Sequence, residues 1–138
     1  MEKKIVVILA LINLPITGAL AESQNIDVLG QYELLARKHS SVFTGFSAPR
    51  GETLFRETYE GGNSDTPSCT SCHSISPHEA GKTRAGKKID PMALSRTPDR
   101  YADFKKTEKW FYRNCRSVMG RECTTAEKGD FITFMTGK

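Results

Sequence analysis

The sequence predicts an all-α fold. Apolar residues recur at helical spacing in four separate stretches, no segment shows the apolar-polar alternation of a half-buried strand, and helix-stop or capping residues stand beside those stretches. With 138 residues, 38% of them hydrophobic, the chain has material for one domain with a modest core of its own.

Lys3 and Lys4, the apolar run Ile5 to Leu14 and the small-x-small site Ala19-Leu20-Ala21 read as an export signal spanning 1–21. Cleavage leaves 22–138 as the domain, placed in a Gram-negative-type periplasm. A retained anchor is the alternative, but Asn13 and Pro15 interrupt a run already short of the about 20 residues that a bilayer demands. No membrane span is expected after cleavage. The formal charge of +4 drops by one with the signal, too small an excess to suggest nucleic-acid binding.

Asp27 to Phe43 has Val28, Tyr32, Leu35, Ala36 and His39 at helical spacings, the pattern of an amphipathic helix beyond the signal. Ser47-Ala48-Pro49-Arg50-Gly51 reads as a break, followed by a second helix over Glu52 to Tyr59 that Gly61-Gly62 stops. From His78 to Arg100 the chain is rich in Gly, Pro and basic residues and reads as a long loop. A loop of this length in a small domain is usually wrapped around something; a merely solvated basic loop is the other reading. Thr107 to Val118 forms a third helix with Trp110, Phe111, Asn114, Cys115 and Val118 on one face, ended at Gly120. Thr124 and Glu127 form a capping-box pattern that opens the last helix, Ala126 to Met135.

Between the second helix and the loop stands Cys69-Thr70-Ser71-Cys72-His73, the C-x-x-C-H attachment signature of a c-type haem. Two thiols at this spacing can each add to a vinyl group of the porphyrin, and the adjacent imidazole then stands below the iron. Zinc and a thioredoxin-like redox pair are the alternatives. Zinc wants four N or S ligands, and only His78 is a spare imidazole nearby; a thioredoxin site wants a preceding strand, and Glu60 to Ser68 is turn chemistry. If haem is bound, the basic loop lies near its propionates or faces an acidic redox partner.

Cys115 and Cys123 form a second pair, which in an oxidising compartment reads as a disulfide stapling the corner around Gly120. Two free thiols or a second metal site are the alternatives. Asn114 is the polar member of an otherwise apolar helix face. It is either bonded to backbone near a helix end or aimed at the iron from the side opposite His73. Met92, after Pro91 in the long loop, is the main rival for that sixth position; Met119, His39 and His78 are weaker ones.

Taken together, Cys69-x-x-Cys72-His73, the basic Gly-Lys loop, Glu108 to Cys115, Gly120 to Thr124 and Glu127 to Ile132 resemble the SHP-type (sphaeroides haem protein) cytochromes c and the related cytochrome c″. The resemblance covers roughly Gly51 to Met135. It implies a class I-like cytochrome c fold around one covalent haem c, attached at Cys69 and Cys72, with an extra N-terminal helix. It also implies His73 as proximal ligand and Asn114, next to the Cys115–Cys123 disulfide, as distal ligand. Asp90 to Ser95 lacks the second proline of these relatives, and Thr97 stands where an asparagine is expected.

The expected function is therefore an exported monohaem cytochrome with a redox-labile Asn ligand. It would accept electrons from a redox-partner cytochrome, which the family suggests is multi-haem, and bind O₂, NO or CO at the reduced iron. Two alternatives stand beside it: a His/Met electron shuttle using Met92, and a haem oxidoreductase turning over O₂, NO or peroxide. For the last, no acid-base constellation is visible in the sequence.

Overall fold

The computed structural model describes residues 27–138; the expected export signal lies outside them. Five helices and one minimal hairpin make up the fold. The first helix, α1, runs Val28–His39. Its cap is Asp27, whose carboxylate accepts the Gly30 N–H at 2.7 Å, and Arg37, Lys38 and His39 fill its last turn, where cations complement the helix dipole. It ends at His39, short of the expected Phe43, because Ser40 turns extended and Phe43 instead packs edge-on against Phe46.

The second helix, α2, runs Ala48–Arg56, so the Ser-Ala-Pro-Arg-Gly segment starts a helix where the sequence suggested a break. Ser47 caps it by accepting the Arg50 N–H, and Pro49 sits in its first turn, where a missing N–H costs nothing. A single turn, α3 (Thr70–His73), carries the second half of the C-x-x-C-H motif. The loop beyond it contains a two-stranded antiparallel hairpin, β1 (Gly81–Lys82) and β2 (Lys88–Ile89), registered Gly81 to Ile89. This short pairing is the one departure from an all-helical chain among the described residues. It was invisible to a search for alternation because each strand has two residues.

The third long helix, α4, runs Phe104–Met119, three residues longer at its start than expected because Asp103 caps it, accepting the Lys106 N–H at 2.9 Å. Gly120 ends it at φ 72°, a left-handed conformation that glycine adopts without penalty. The last helix, α5, runs Thr125–Thr136 behind a complete Thr124/Glu127 capping box, as its sequence indicated.

The core forms where α2 crosses α5. A Cβ on Gly51 would lie 2.0 Å from the Asp130 carbonyl oxygen, so glycine here permits backbone-to-backbone approach. Asp130, its side chain 6% exposed, pins the crossing. It accepts the Arg50 Nε–H at 2.7 Å, an Arg50 terminal N–H at 2.8 Å and the Ser47 N–H at 2.6 Å. Phe55, fully buried, packs between Phe131 and Phe134 at centroid distances of 6.1 and 6.0 Å.

Tyr32 joins α1 to this core. Its ring meets Phe104 and Phe111, and its hydroxyl donates to Glu108, which also receives the Lys128 ammonium at 2.8 Å. Burial, reinforced by that carboxylate, holds the Tyr32 phenol far above its ordinary range.

Gly51→Ala forces a methyl into the Asp130 backbone. Overpacking of this kind costs about 3 kcal/mol, and urea denaturation followed by circular dichroism should show that loss.

Candidate functional site

The C-x-x-C-H turn is held from three sides. Tyr59 N–H donates to the Pro67 carbonyl at 2.7 Å, closing the turn-rich segment that precedes Cys69. Gly62 presses on the end of α4, where a Cβ would lie 2.3 Å from the carbonyl oxygens of Ser117 and Val118, and Asn63 N–H donates to Ser117 at 2.7 Å. On the other side Gly81 packs on the motif itself: its Cβ would lie 1.9 Å from the Cys72 carbonyl oxygen and 2.8 Å from the His73 Cα. Directly after His73 the chain turns through Ser74 at φ 65°, a region non-glycine residues occupy at a cost and often beside functional groups.

Cys69, Cys72 and His73 all line one cavity of about 550 Å³, within the range of small-molecule and cofactor sites. Its apolar wall is contributed by Leu54 of α2, Met92, Tyr101, Phe111 and Val118 of α4, and Phe131 of α5. Neither cysteine of the motif is in a disulfide. Burial raises the Cys69 thiol to about 11. Burial likewise lowers His73 to about 4, helped by the nearby Arg100 guanidinium, so its imidazole is neutral at physiological pH and able to act as a ligand. Its Nδ1 is buried with no hydrogen-bond partner, as is the hydroxyl of Thr66, another cavity residue.

The second cysteine pair is bonded. Cys115 of α4 and Cys123, just ahead of α5, form a disulfide with a Cα–Cα distance of 5.6 Å, and both line the same cavity. By the chain-entropy model a loop this short contributes roughly 2–3 kcal/mol. Asn114 lines the cavity too. It is exposed and has no side-chain hydrogen bond among the described residues, so it is not the backbone-bonded asparagine that was one of its two sequence readings. Met92 and Met119 are buried cavity residues. His39 and His78 are exposed and line no part of it.

Of the long basic segment, Thr83, Arg84, Ile89, Asp90, Met92, Thr97 and Arg100 face the cavity, so the loop does wrap around it. The sequence left Tyr101 unassigned; its hydroxyl donates to the Met92 carbonyl at 3.0 Å and fixes that stretch. Trp110 is 49% exposed and lines the cavity at its rim, although it shares a helix face with the buried Cys115 and Val118.

Among the described residues no group of three or more His, Cys, Asp or Glu side chains could hold a metal ion, so the zinc reading finds no ligand set there. What the chain does provide suits a haem: a largely apolar cavity, paired thiols and a neutral imidazole on its wall, and Arg84, Arg100 and Lys106 among its lining residues to meet two propionates.

A helical shell closed around such a cavity, with C-x-x-C-H on one wall, defines a small c-type cytochrome. Residues 41–135 match the family described as a domain of unknown function (DUF1924). The chain is 45% identical over 106 residues to the cytochrome c-type protein SHP of Cereibacter sphaeroides, covering 77% of this chain and 82% of that one. It is 29% identical over 119 residues to cytochrome c″ of Methylophilus methylotrophus, covering 85% and 83%.

Among solved structures, oxidized SHP, described as an oxygen-binding cytochrome c, superposes with a TM-score of 0.73 at 44% identity, covering 80% of this chain and 94% of that one. The solution structure of cytochrome c″, presented for its insight into haem-ligand detachment, superposes at 0.66 with 26% identity, covering 80% and 90%. The chain belongs to the SHP family of c-type cytochromes. It carries one covalent haem c, and its fold is the all-α cytochrome fold of these relatives.

The turn that positions Cys123 is secured by Glu127. Its carboxylate accepts from Arg121 at 2.7 Å and from the Thr124 N–H at 2.7 Å. The Arg121 pair, and then the backbone bond, hold it below the ordinary carboxylate range. Glu127→Gln should cost about 1 kcal/mol at neutral pH. A carboxyl with a depressed folded pKa stabilises fully above its unfolded value and loses that contribution as pH falls through the folded one. Urea titrations of the two proteins should therefore differ at pH 7 and converge below about pH 4.

Proposed function

We propose that this protein is an exported one-electron carrier that takes a diatomic gas at its reduced haem, with Asn114 as a ligand held only in the oxidised state. In this reading Cys69 and Cys72 form the thioethers and His73 is the proximal ligand. Because its Nδ1 is buried, Nε2 is the nitrogen able to meet an iron. The haem supplies a redox-active iron that binds gases when ferrous; the chain supplies the ligands, the low-polarity cavity and the control.

The observation that carries the proposal is that Asn114, on α4, lines the same cavity as His73 on α3 with its amide uncommitted to any hydrogen bond. An amide oxygen is a hard, neutral donor that suits ferric iron better than ferrous. Arrival of an electron therefore weakens its hold and frees the position. The freed amide N–H can then donate to a polar gas ligand. SHP, the relative with 44% identity in its solved structure, is described as oxygen-binding, which supports the same role here.

Met92 is the rival ligand, and its anchoring argues against it. Ala93 N–H donates to the Pro77 carbonyl at 2.9 Å and Leu94 N–H to Met135 at 3.0 Å, while the Met92 carbonyl is tied to Tyr101. The backbone of this stretch is thereby fastened to the segment after His73 at Pro77, to α5 at Met135 and to Tyr101. A buried, three-way tethered Met92 would be less free than the exposed Asn114 side chain to leave an iron on reduction. Export fits the disulfide, a product of an oxidising compartment, and no described helix is long and apolar enough to cross a membrane.

Asn114→Ala is expected to keep the haem attached, alter the ferric absorption spectrum and raise ferric affinity for cyanide about tenfold, equal to about 1.4 kcal/mol of lost competition. The reduced wild-type protein should bind CO rapidly. If Met92→Ala changes the ferric spectrum while Asn114→Ala does not, and CO leaves the ferrous spectrum unchanged, the protein is a His/Met shuttle.

A further inference from the structure

The charges of this protein are distributed unevenly. On α1, α2 and α5 the cations are largely committed: Arg37 to Glu33, Arg56 to Glu52, Arg50 to Asp130 and Lys128 to Glu108. Helix α4 differs. Its single acid, Glu108, is turned toward Tyr32 and Lys128, while Lys105, Lys109 and Arg113 stand exposed at four-residue intervals with no acidic partner among the described residues. Arg116 reaches a carboxylate only at 4.0 Å, on Glu122.

Like charges at this spacing repel one another and weaken the helix, so the stripe is a feature that only an external anion offsets. It is also aromatic. Trp110 and Tyr112 are each 49% exposed. The Arg113 guanidinium lies 5.8 Å from the Trp110 ring and that of Arg116 4.8 Å from Tyr112. Trp, Tyr and Arg are the residues that concentrate binding energy at protein interfaces.

The stripe adjoins the redox site without being part of it. Lys105, Lys109, Tyr112 and Arg113 lie outside the cavity lining, whereas Trp110, on the same helix, lines the cavity. We propose that the outer face of α4 is the docking surface for an acidic electron-donor protein, with Trp110 joining that surface to the haem cavity. An anionic membrane would also favour cations, but it would have no use for a surface that opens onto a redox cavity. The inference rests on the haem-redox reading above. In the step concerned, one electron leaves the reduced donor, which is oxidised, and converts the ferric iron to ferrous.

The test is stopped-flow reduction of the ferric holoprotein by two donors. One is a reduced, strongly acidic plant-type [2Fe–2S] ferredoxin, a one-electron protein donor; the other is photoreduced lumiflavin, small and uncharged. With ferredoxin, the wild-type rate should fall about tenfold between about 10 mM and about 300 mM salt. Lys105→Glu/Lys109→Glu should be about tenfold slower at low salt and nearly insensitive to it. Arg37→Glu/Lys38→Glu on α1, with the same change in net charge, should behave as wild type.

Lumiflavin should reduce all three proteins equally, showing that each retains an intact, accessible haem. Equal slowing by the α1 and α4 reversals would reduce the effect to net charge and overturn the proposal, as would no slowing by the α4 pair. Sedimentation of the wild type, but not the α4 variant, with phosphatidylglycerol vesicles would assign the face to a membrane and also overturn it. If lumiflavin reduces none of the proteins, the haem-redox reading fails and this one with it.

Discussion

Two backbones in direct contact set the geometry of this molecule. With no side chain at Gly51, α2 approaches α5 until the Asp130 carbonyl is within 2.0 Å of where a Cβ would stand. The Asp130 carboxylate then binds both Arg50 and the free N–H of Ser47, so the crossing is fixed in position as well as in distance. A mostly exposed Arg–carboxylate pair adds little stability, but here the carboxylate is buried, and leaving such a group without partners would cost about 1–3 kcal/mol. Hydrophobic packing makes the approach favourable and the carboxylate makes it specific.

Everything around the cavity is hung from this crossing. Leu54 of α2 and Phe131 of α5 form its floor, and Phe131 meets Phe111 of α4 at 5.5 Å. The disulfide ties α4 to the start of α5, and Glu127 and Arg121 secure that corner. A chain this small cannot bury a large core of its own. Its interior is instead a shell with a polar seam, in which the covalent cofactor supplies much of the apolar volume. Glycines at 62 and 81 matter for the same reason: they let bare backbone press against α4 and the Cys-His turn, where a side chain would displace the wall.

The C-x-x-C-H motif on the cavity wall, the disulfide and the last helix were legible because each rests on local signals: a fixed spacing, an export context, a capping box. Helix starts were harder. Pro49 reads as a breaker unless Ser47 is recognised as the cap before it, and Asp103 caps α4 three residues ahead of the first periodic residue. Thr66 and Tyr101 escaped because their place at the cavity comes from the path of irregular segments, which no local pattern encodes. The exposure of Trp110 escaped for a related reason: periodicity groups residues on a face but does not say where a face ends.

That last point bears on how α4 works. Its sixteen residues carry three adjoining stripes. Thr107, Cys115 and Val118 are buried residues of the cavity wall; Lys106, Trp110 and Asn114 are exposed residues that line the cavity at its rim; Lys105, Lys109 and Arg113 are exposed and outside the lining. A single helix thus holds the proposed oxidised-state ligand and the proposed docking surface within about two and a half turns of each other. If both proposals hold, a donor seated on that surface would deliver its electron beside the residue whose hold on the iron the electron weakens, so that reduction and opening of the gas site would follow from one docking event. The Cys115–Cys123 disulfide, next to Asn114 in sequence, would then keep the helix backbone in place while only a side chain moves.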